Sequence, residues 1–296
     1  MNDAAGPHVV TPDRRVLTYL EVGDPAGPLV IHNHGGPSSR LEAKLFAAAA
    51  GRQGLRFVCV DRPGIGGSTA QPGRGYADWG GDLIAIADAL GHSEFGVTGW
   101  SEGGPWALAA AAYVDADRLR HVTNIAGGCY GAFGDNWAAD HLSKADALGG
   151  TLALRFRPGF KAMYAGIGIT AKHFRGSFAG QLRKSVNDYD RDVLADQAVM
   201  DGMLDAFAEC FAHGSNGLVV DAELLYHRWA FDVTAIERPV HVWQGTGDTL
   251  VPPYINRTIA DRMPGAVWHE VPDAGHFVGI GAADDILAVT AGDLRA

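Results

Sequence analysis

Gly99-Trp100-Ser101-Glu102-Gly103 sets a serine between two glycines, after the apolar run Phe95-Gly96-Val97-Thr98 and before an alanine-rich run from Trp106 to Tyr113. These runs read as strand, sharp turn and helix, the setting in which a G-x-S-x-G motif presents a nucleophilic serine. The turn needs glycine two residues either side of the serine, because bulk there collides as strand and helix converge. In a chain with 40 glycines the motif alone can arise by chance, so its weight rests on partners elsewhere.

Two partners lie downstream. The apolar run Pro239-Val240-His241-Val242-Trp243 leads into Gln244-Gly245-Thr246-Gly247-Asp248, which sets Asp248 where a strand ends. A second short strand (Ala266, Val267, Trp268) precedes Val271-Pro272-Asp273-Ala274-Gly275-His276-Phe277, so His276 falls on a loop. Two further motifs lie upstream. Leu29-Val30-Ile31 opens into His32-Asn33-His34-Gly35-Gly36-Pro37, and Phe57-Val58-Cys59-Val60 opens into Asp61-Arg62-Pro63-Gly64-Ile65-Gly66-Gly67-Ser68.

These five motifs, ordered from His32 to His276, resemble the α/β-hydrolase superfamily. The chain order serine, acid, histidine is that of the superfamily and differs from the other well-known serine hydrolase folds. The resemblance implies Ser101 as nucleophile, Asp248 as acid and His276 as base. It also implies an oxyanion hole made by the backbone N–H groups of Gly36 and Glu102, and a structural His34 that bonds loop backbone.

The chemistry needs these residue types. A serine hydroxyl is protonated at neutral pH and requires a neutral imidazole to take its proton. A carboxylate on the other ring nitrogen fixes the tautomer and stabilises the imidazolium. Asp273 competes with Asp248 for that role, but it precedes a glycine-containing turn and suits loop shaping. Some relatives carry the acid after the strand ending near Ile125, where this chain has Ala126-Gly127-Gly128-Cys129. The Glu102 carboxyl has no chemical role in this scheme and is expected to pair locally, with Arg40 a candidate.

Gly64-Ile65-Gly66-Gly67-Ser68-Thr69 lacks the third glycine of a dinucleotide fingerprint. No P-loop or H-E-x-x-H motif occurs. No cofactor and no metal is therefore expected. The formal net charge of −10 disfavours nucleic acid and anionic membranes as partners, leaving a small-molecule substrate. Cys59, Cys129 and Cys210 are odd in number and far apart, which suits buried free thiols in a reducing compartment. Met1 to Pro7 lacks a basic and apolar leader, no run approaches the ~20 apolar residues of a membrane span, and the Asn256-Arg257-Thr258 sequon is expected to be accidental. These features predict a cytoplasmic protein of undetermined oligomeric state.

Strand candidates at Val16 to Val22, Leu29 to Asn33, Phe57 to Val60, Phe95 to Thr98 and His121 to Ile125 alternate with helical stretches such as Leu41 to Ala50 and Asp82 to Leu90. The pattern resumes at Val240 and ends in a helix from Ala283 to Leu294. It predicts an α/β fold with a mostly parallel central sheet covered by helices on both faces. The stretch 130–231 breaks the alternation and reads as helical, with Val193, Met200, Leu204, Phe207 and Phe211 at helical spacing and His213-Gly214 as a stop. The resemblance makes 1–129 and 232–296 the core and 130–231 an inserted helical cap. Of the cap aromatics Phe133, Trp137, Phe156, Phe160, Tyr164, Phe174 and Phe178, some are expected to line a pocket and most to pack within the cap.

The function expected is hydrolysis of a small carboxylic ester or lactone through an acyl-serine intermediate. Serine at position 101 argues against the haloalkane dehalogenase and epoxide hydrolase branches, whose nucleophile is aspartate. Carbon–carbon bond hydrolysis, amide or aminopeptidase cleavage, peracid formation and a lyase reaction on cyanohydrins stay open within the same machinery. His34-Gly35-Gly36-Pro37 is similar to proline iminopeptidases, but the residues around Ser101 do not match their elbow. A slow-turnover small-molecule receptor on the same fold is the alternative of another class.

Overall fold

The short apolar runs pair into one eight-stranded sheet in a computed structural model that describes residues 6–135, 137–142 and 144–296. Residues 1–5, most of the Met1 to Pro7 stretch read above, lie outside the described residues. The strands are β1 (His8–Val10), β2 (Val16–Gly23), β3 (Leu29–Asn33), β4 (Arg56–Val60), β5 (Phe95–Trp100), β6 (Leu119–Ile125), β7 (Val240–Gly245) and β8 (Ala266–Val271). They lie in the order β1-β2-β4-β3-β5-β6-β7-β8, with β1 and β2 antiparallel and the other six parallel.

Successive strand residues point to opposite faces, and here both faces are covered. Leu29, Ile31, Val58, Val60, Val97, Val122 and Val242 enter one core, and Val30, Phe57, Cys59, Ile125 and Trp243 enter the other. This accounts for the continuous apolar runs, which parallel strands buried on two sides require.

Helices α1 (Ala43–Arg52), α2 (Tyr76–Ala89) and α3 (Gly103–Tyr113) connect the first strands. Helix α2 begins six residues before the stretch expected from periodicity. Gly75 starts it, donating its N–H to Asp78 at 2.8 Å, and the Gly80-Gly81 pair that hides it in the sequence is explained in part by packing. A Cβ on Gly80 would meet Tyr113 and Val114 at 3.4–3.5 Å, so the glycine lets α2 and α3 lie close.

Between β6 and β7 run α4 (Trp137–His141), α5 (Lys144–Arg155), α6 (Arg157–His173), α7 (Arg175–Ser185), α8 (Asp188–Val193), α9 (Gln197–Cys210) and α10 (Asn216–Tyr226). This is the inserted helical region. The single helical period read from Val193 to Phe211 is broken in two, because Asp196 caps α9 by accepting from the Ala198 N–H at 2.8 Å. The chain closes with α11 (Pro253–Arg262), α12 (Val278–Gly281) and α13 (Ala283–Asp293). Asp293 on α13 accepts from His121 and His241 at 2.8 and 3.0 Å, which accounts for two of the histidines without chemistry. Among the described residues, no helix is long and apolar enough to cross a membrane.

The topology locates the site. From β3 the chain passes to β4 on one side and then returns to β5 on the other. The two loops leaving β3 and β5 therefore diverge, opening the crevice where α/β sheets bind ligands. Asn33 pairs with Gly99 in register, which sets the Gly35-Gly36 loop beside the Ser101 turn.

Candidate active site

Ser101 leaves β5 with φ 56°, in the left-handed region that costs a non-glycine residue about 1–3 kcal/mol. The flanking glycines are explained by close approach. A Cβ on Gly99 would stand 2.1 Å from the Gly103 carbonyl oxygen, and one on Gly103 would stand 2.0 Å from that of Asn33. The turn is held by the Ser101 N–H donating to Ile125 and by its carbonyl accepting from Gly104 and Gly128, each at 2.9 Å.

Ser101 Oγ lies 2.9 Å from His276 Nε2, and His276 Nδ1 lies 2.9 Å from Asp248 Oδ2. The other oxygen, Asp248 Oδ1, accepts from the N–H groups of Leu250 and Val251 at 2.8 Å each, and Gln244 Nε2 donates to Oδ2 at 3.1 Å. These bonds aim the carboxylate at the imidazole. Burial by itself holds the His276 proton affinity down. The adjacent Asp248 carboxylate outweighs it, with help from Asp190 and Glu42, so the ring lies above the ordinary histidine value. Asp273 is a loop residue. It sits at φ 61°, its N–H donates to Thr246 Oγ1 at 2.8 Å, and its carbonyl accepts from Asn187 at 3.1 Å.

Asp190, which the sequence reading missed, lies in the helical insertion yet is wholly buried against the histidine loop. Its carboxylate accepts from the backbone N–H groups of His276 and Phe277 at 2.8 and 2.9 Å. Asn187, capping the same short helix α8, accepts from the Asp190 N–H at 3.0 Å. Gly275 is required because a Cβ there would lie 2.2 Å from Asp190 Oδ2. A separation of 86 positions in the chain explains why no local motif revealed the pair.

The loop after β3 is fixed from two sides. Glu42 accepts from the Gly35 N–H at 3.1–3.2 Å and pairs with His32 at 2.9 Å. Arg62, fully buried, donates to the carbonyl of His34 at 2.6 Å and to Asp221 of α10 at 2.7 Å. The Asp61–Ser68 turn delivers that arginine. Asp61 accepts from Thr18 and from the Gly67 N–H at 2.7 and 3.1 Å. His34 bonds the Gly35 carbonyl through Nδ1 at 2.8 Å. The pairing expected between Glu102 and Arg40 does not form. Arg40 is held by Asp61 and Glu209, each at 2.6 Å, and the nearest guanidinium to Glu102 is that of Arg62 at 4.0 Å.

Gly36, Ser101, Glu102 and His276 open on a cavity of about 500 Å³. Leu182, Met203, Phe207 and Leu225 give it an apolar wall, joined by Tyr164 and Tyr226. Of the seven aromatics considered from sequence, Tyr164 lines it. Phe160 is buried among neighbouring side chains, and Phe156 and Phe174 are 58% and 60% exposed. The lining came instead from α7, α9 and α10, whose inward face the sequence pattern does not orient.

The Alpha/beta hydrolase family model matches residues 29–289. The chain is 27% identical over 281 residues to a pimeloyl-[acyl-carrier protein] methyl ester esterase from Chromobacterium violaceum, covering 91% of this chain and 95% of that protein. Among solved structures it resembles an alpha/beta hydrolase fold protein from Nakamurella multipartita (TM-score 0.68, 22% identity, 98% of each chain covered). It is similarly close to the enol-lactonase from Burkholderia xenovorans LB400, with TM-score 0.68 and 20% identity, covering 98% of this chain and 100% of that one. With the fold, the serine turn at the crevice and a family match over most of its length, this chain belongs to the alpha/beta hydrolase family.

Proposed function

We propose that the protein hydrolyses small carboxylic esters or lactones through an acyl-serine intermediate, with Ser101, His276 and Asp248 as the catalytic triad. The observation that carries this reading is the unbroken relay from Ser101 Oγ through His276 to Asp248, at 2.9 Å per link, opening on a cavity of about 500 Å³. Cavities of that size suit small ligands.

Ser101 Oγ attacks the carbonyl carbon as His276 Nε2 takes its proton, and Asp248 stabilises the imidazolium. The carbonyl oxygen, now negative, is bonded by the N–H groups of Gly36 and Glu102, each such donor lowering the barrier by about 3–4 kcal/mol. The imidazolium returns its proton to the leaving alkoxide, which departs as alcohol or as the opened end of a lactone. Water then enters and attacks the acyl carbon as His276 takes its proton, and the imidazolium returns that proton to Ser101 Oγ as the carboxylic acid is released.

Residues 130–231 form the cap in this reading and choose the substrate, while the core supplies the chemistry. The esterase and enol-lactonase names of its relatives support the ester or lactone class. Three buried free cysteines fit the cytoplasm. The test is a panel of activated esters, lactones and amides, run with and without a fluorophosphonate. Ester or lactone turnover that the inhibitor abolishes, with labelling lost in Ser101→Ala, is expected. Labelling that persists in that variant moves the nucleophile elsewhere, and turnover of amides alone rejects the substrate class.

A further inference from the structure

The mechanism uses the backbone N–H of Glu102 and leaves its carboxyl group without a task. Glu102 is 6% exposed and lines the catalytic cavity beside Gly35, Gly36 and Ser101. It lies directly over Gly36, since a Cβ on that glycine would stand 1.8 Å from Glu102 Oε2. Its other oxygen, Oε1, is buried and accepts no hydrogen bond among the described residues. Arg62, at 4.0 Å, is committed to Asp221 and to the His34 carbonyl. Oε1 has no donor within the described residues, and a carboxyl group on a residue that lines a substrate cavity can take its missing hydrogen bond from the ligand.

We propose that the Glu102 carboxyl group is a substrate-recognition acceptor, which takes a hydrogen bond from a hydroxyl carried one or two carbons from the scissile carbonyl. The preferred substrates are then hydroxy esters and hydroxy lactones, a narrower class within the ester or lactone reading on which this inference rests. The position follows from the geometry. Gly36 and Glu102 line the same cavity and the carboxyl covers that glycine, so a substrate carbonyl held at the Gly36 N–H has the carboxyl as a neighbour. Burial, reinforced by Asp221, pushes the proton affinity of Glu102 up to about 8, which favours the uncharged form at neutral pH, a form that opposes the oxyanion less than a carboxylate does.

The experiment measures kcat/KM for nitrophenyl 3-hydroxybutyrate against nitrophenyl butyrate, and for α-hydroxy-γ-butyrolactone against γ-butyrolactone. Native enzyme, Glu102→Gln and Glu102→Met are compared, with the rate of fluorophosphonate labelling as the check on an assembled Ser101. The native enzyme is expected to favour at least one hydroxylated partner tenfold or more. Glu102→Gln, which retains an acceptor oxygen, keeps that ratio, and Glu102→Met, which has none, brings it to about one. A native ratio near one overturns the inference even if Glu102→Met does not fold, as does a ratio that survives in a folded Glu102→Met. Absence of both turnover and labelling in the native protein instead rejects the hydrolase reading beneath it.

Discussion

Replacing Asp190 tests whether the inserted helices belong to the catalytic machinery or merely roof it. The carboxylate holds two backbone N–H groups of the histidine loop at 2.8 and 2.9 Å in a wholly buried position. Hydrogen bonds to a charged partner contribute about 1.5–3 kcal/mol each. Asp190→Ala therefore costs about 3–6 kcal/mol, a large share of the about 5–15 kcal/mol that holds a typical domain together. Asp190→Asn is the gentler probe. It keeps one acceptor oxygen and turns an amide N–H₂ toward the other N–H, a loss of about 1–3 kcal/mol. The loop then relaxes where His276 is anchored, and a displacement of about 1 Å costs on the order of a hundredfold in rate. The Asp190 charge also helps raise the His276 proton affinity, so its removal moves the acid limb of kcat/KM to lower pH. The assay is kcat/KM against pH on an activated ester, with thermal melting in parallel. A merely structural aspartate lowers the melting temperature and leaves the limb in place. Unchanged rate, limb and melting temperature in Asp190→Asn refute the reasoning.

In the native enzyme, kcat/KM rises with pH through a midpoint above the ordinary histidine value of about 6.5, because only neutral His276 accepts the Ser101 proton and its affinity is raised; a midpoint below 6.5 contradicts the assignment. Asp248→Asn lowers turnover by about four orders of magnitude, as a wrong tautomer does, while Asp273→Asn has a small effect. If the Asp273 change is the more damaging, the acid has been misassigned. Phe207→Ala, on the cavity wall, changes relative rates along a chain-length series of nitrophenyl esters, whereas exposed Phe156→Ala leaves them as they are. Phe160→Ala, at 1% exposure, destabilises the fold by about 3–5 kcal/mol, which a denaturant titration measures.

The sequence by itself determined the parts whose physics is local. Short apolar runs of strand length, bounded by turn residues and alternating with helical stretches, read as buried strands, which made the parallel sheet readable from Leu29, Phe57, Phe95 and Val240 onward. Ser101 needed glycines at 99 and 103 for a turn that nothing bulkier can close, and those glycines stand in the motif itself. Asp248 and His276 were legible because each sits within a few residues of a strand end. Tertiary structure alone decided what depends on distant segments meeting. Asp190 reaches His276 across 86 residues of chain, and Arg62 meets Asp221 across 159, so no window of sequence contains both members of either pair. Helical periodicity marks that α7, α9 and α10 have an apolar face but not what that face packs against, so only Tyr164 of the cavity wall was among the aromatics named from sequence. The isolation of Glu102 Oε1 is also a property of the folded packing. A carboxyl group loses its water only when Gly36, Arg62 and the insertion close around it, and that closure is set by the topology rather than by any neighbour in the chain.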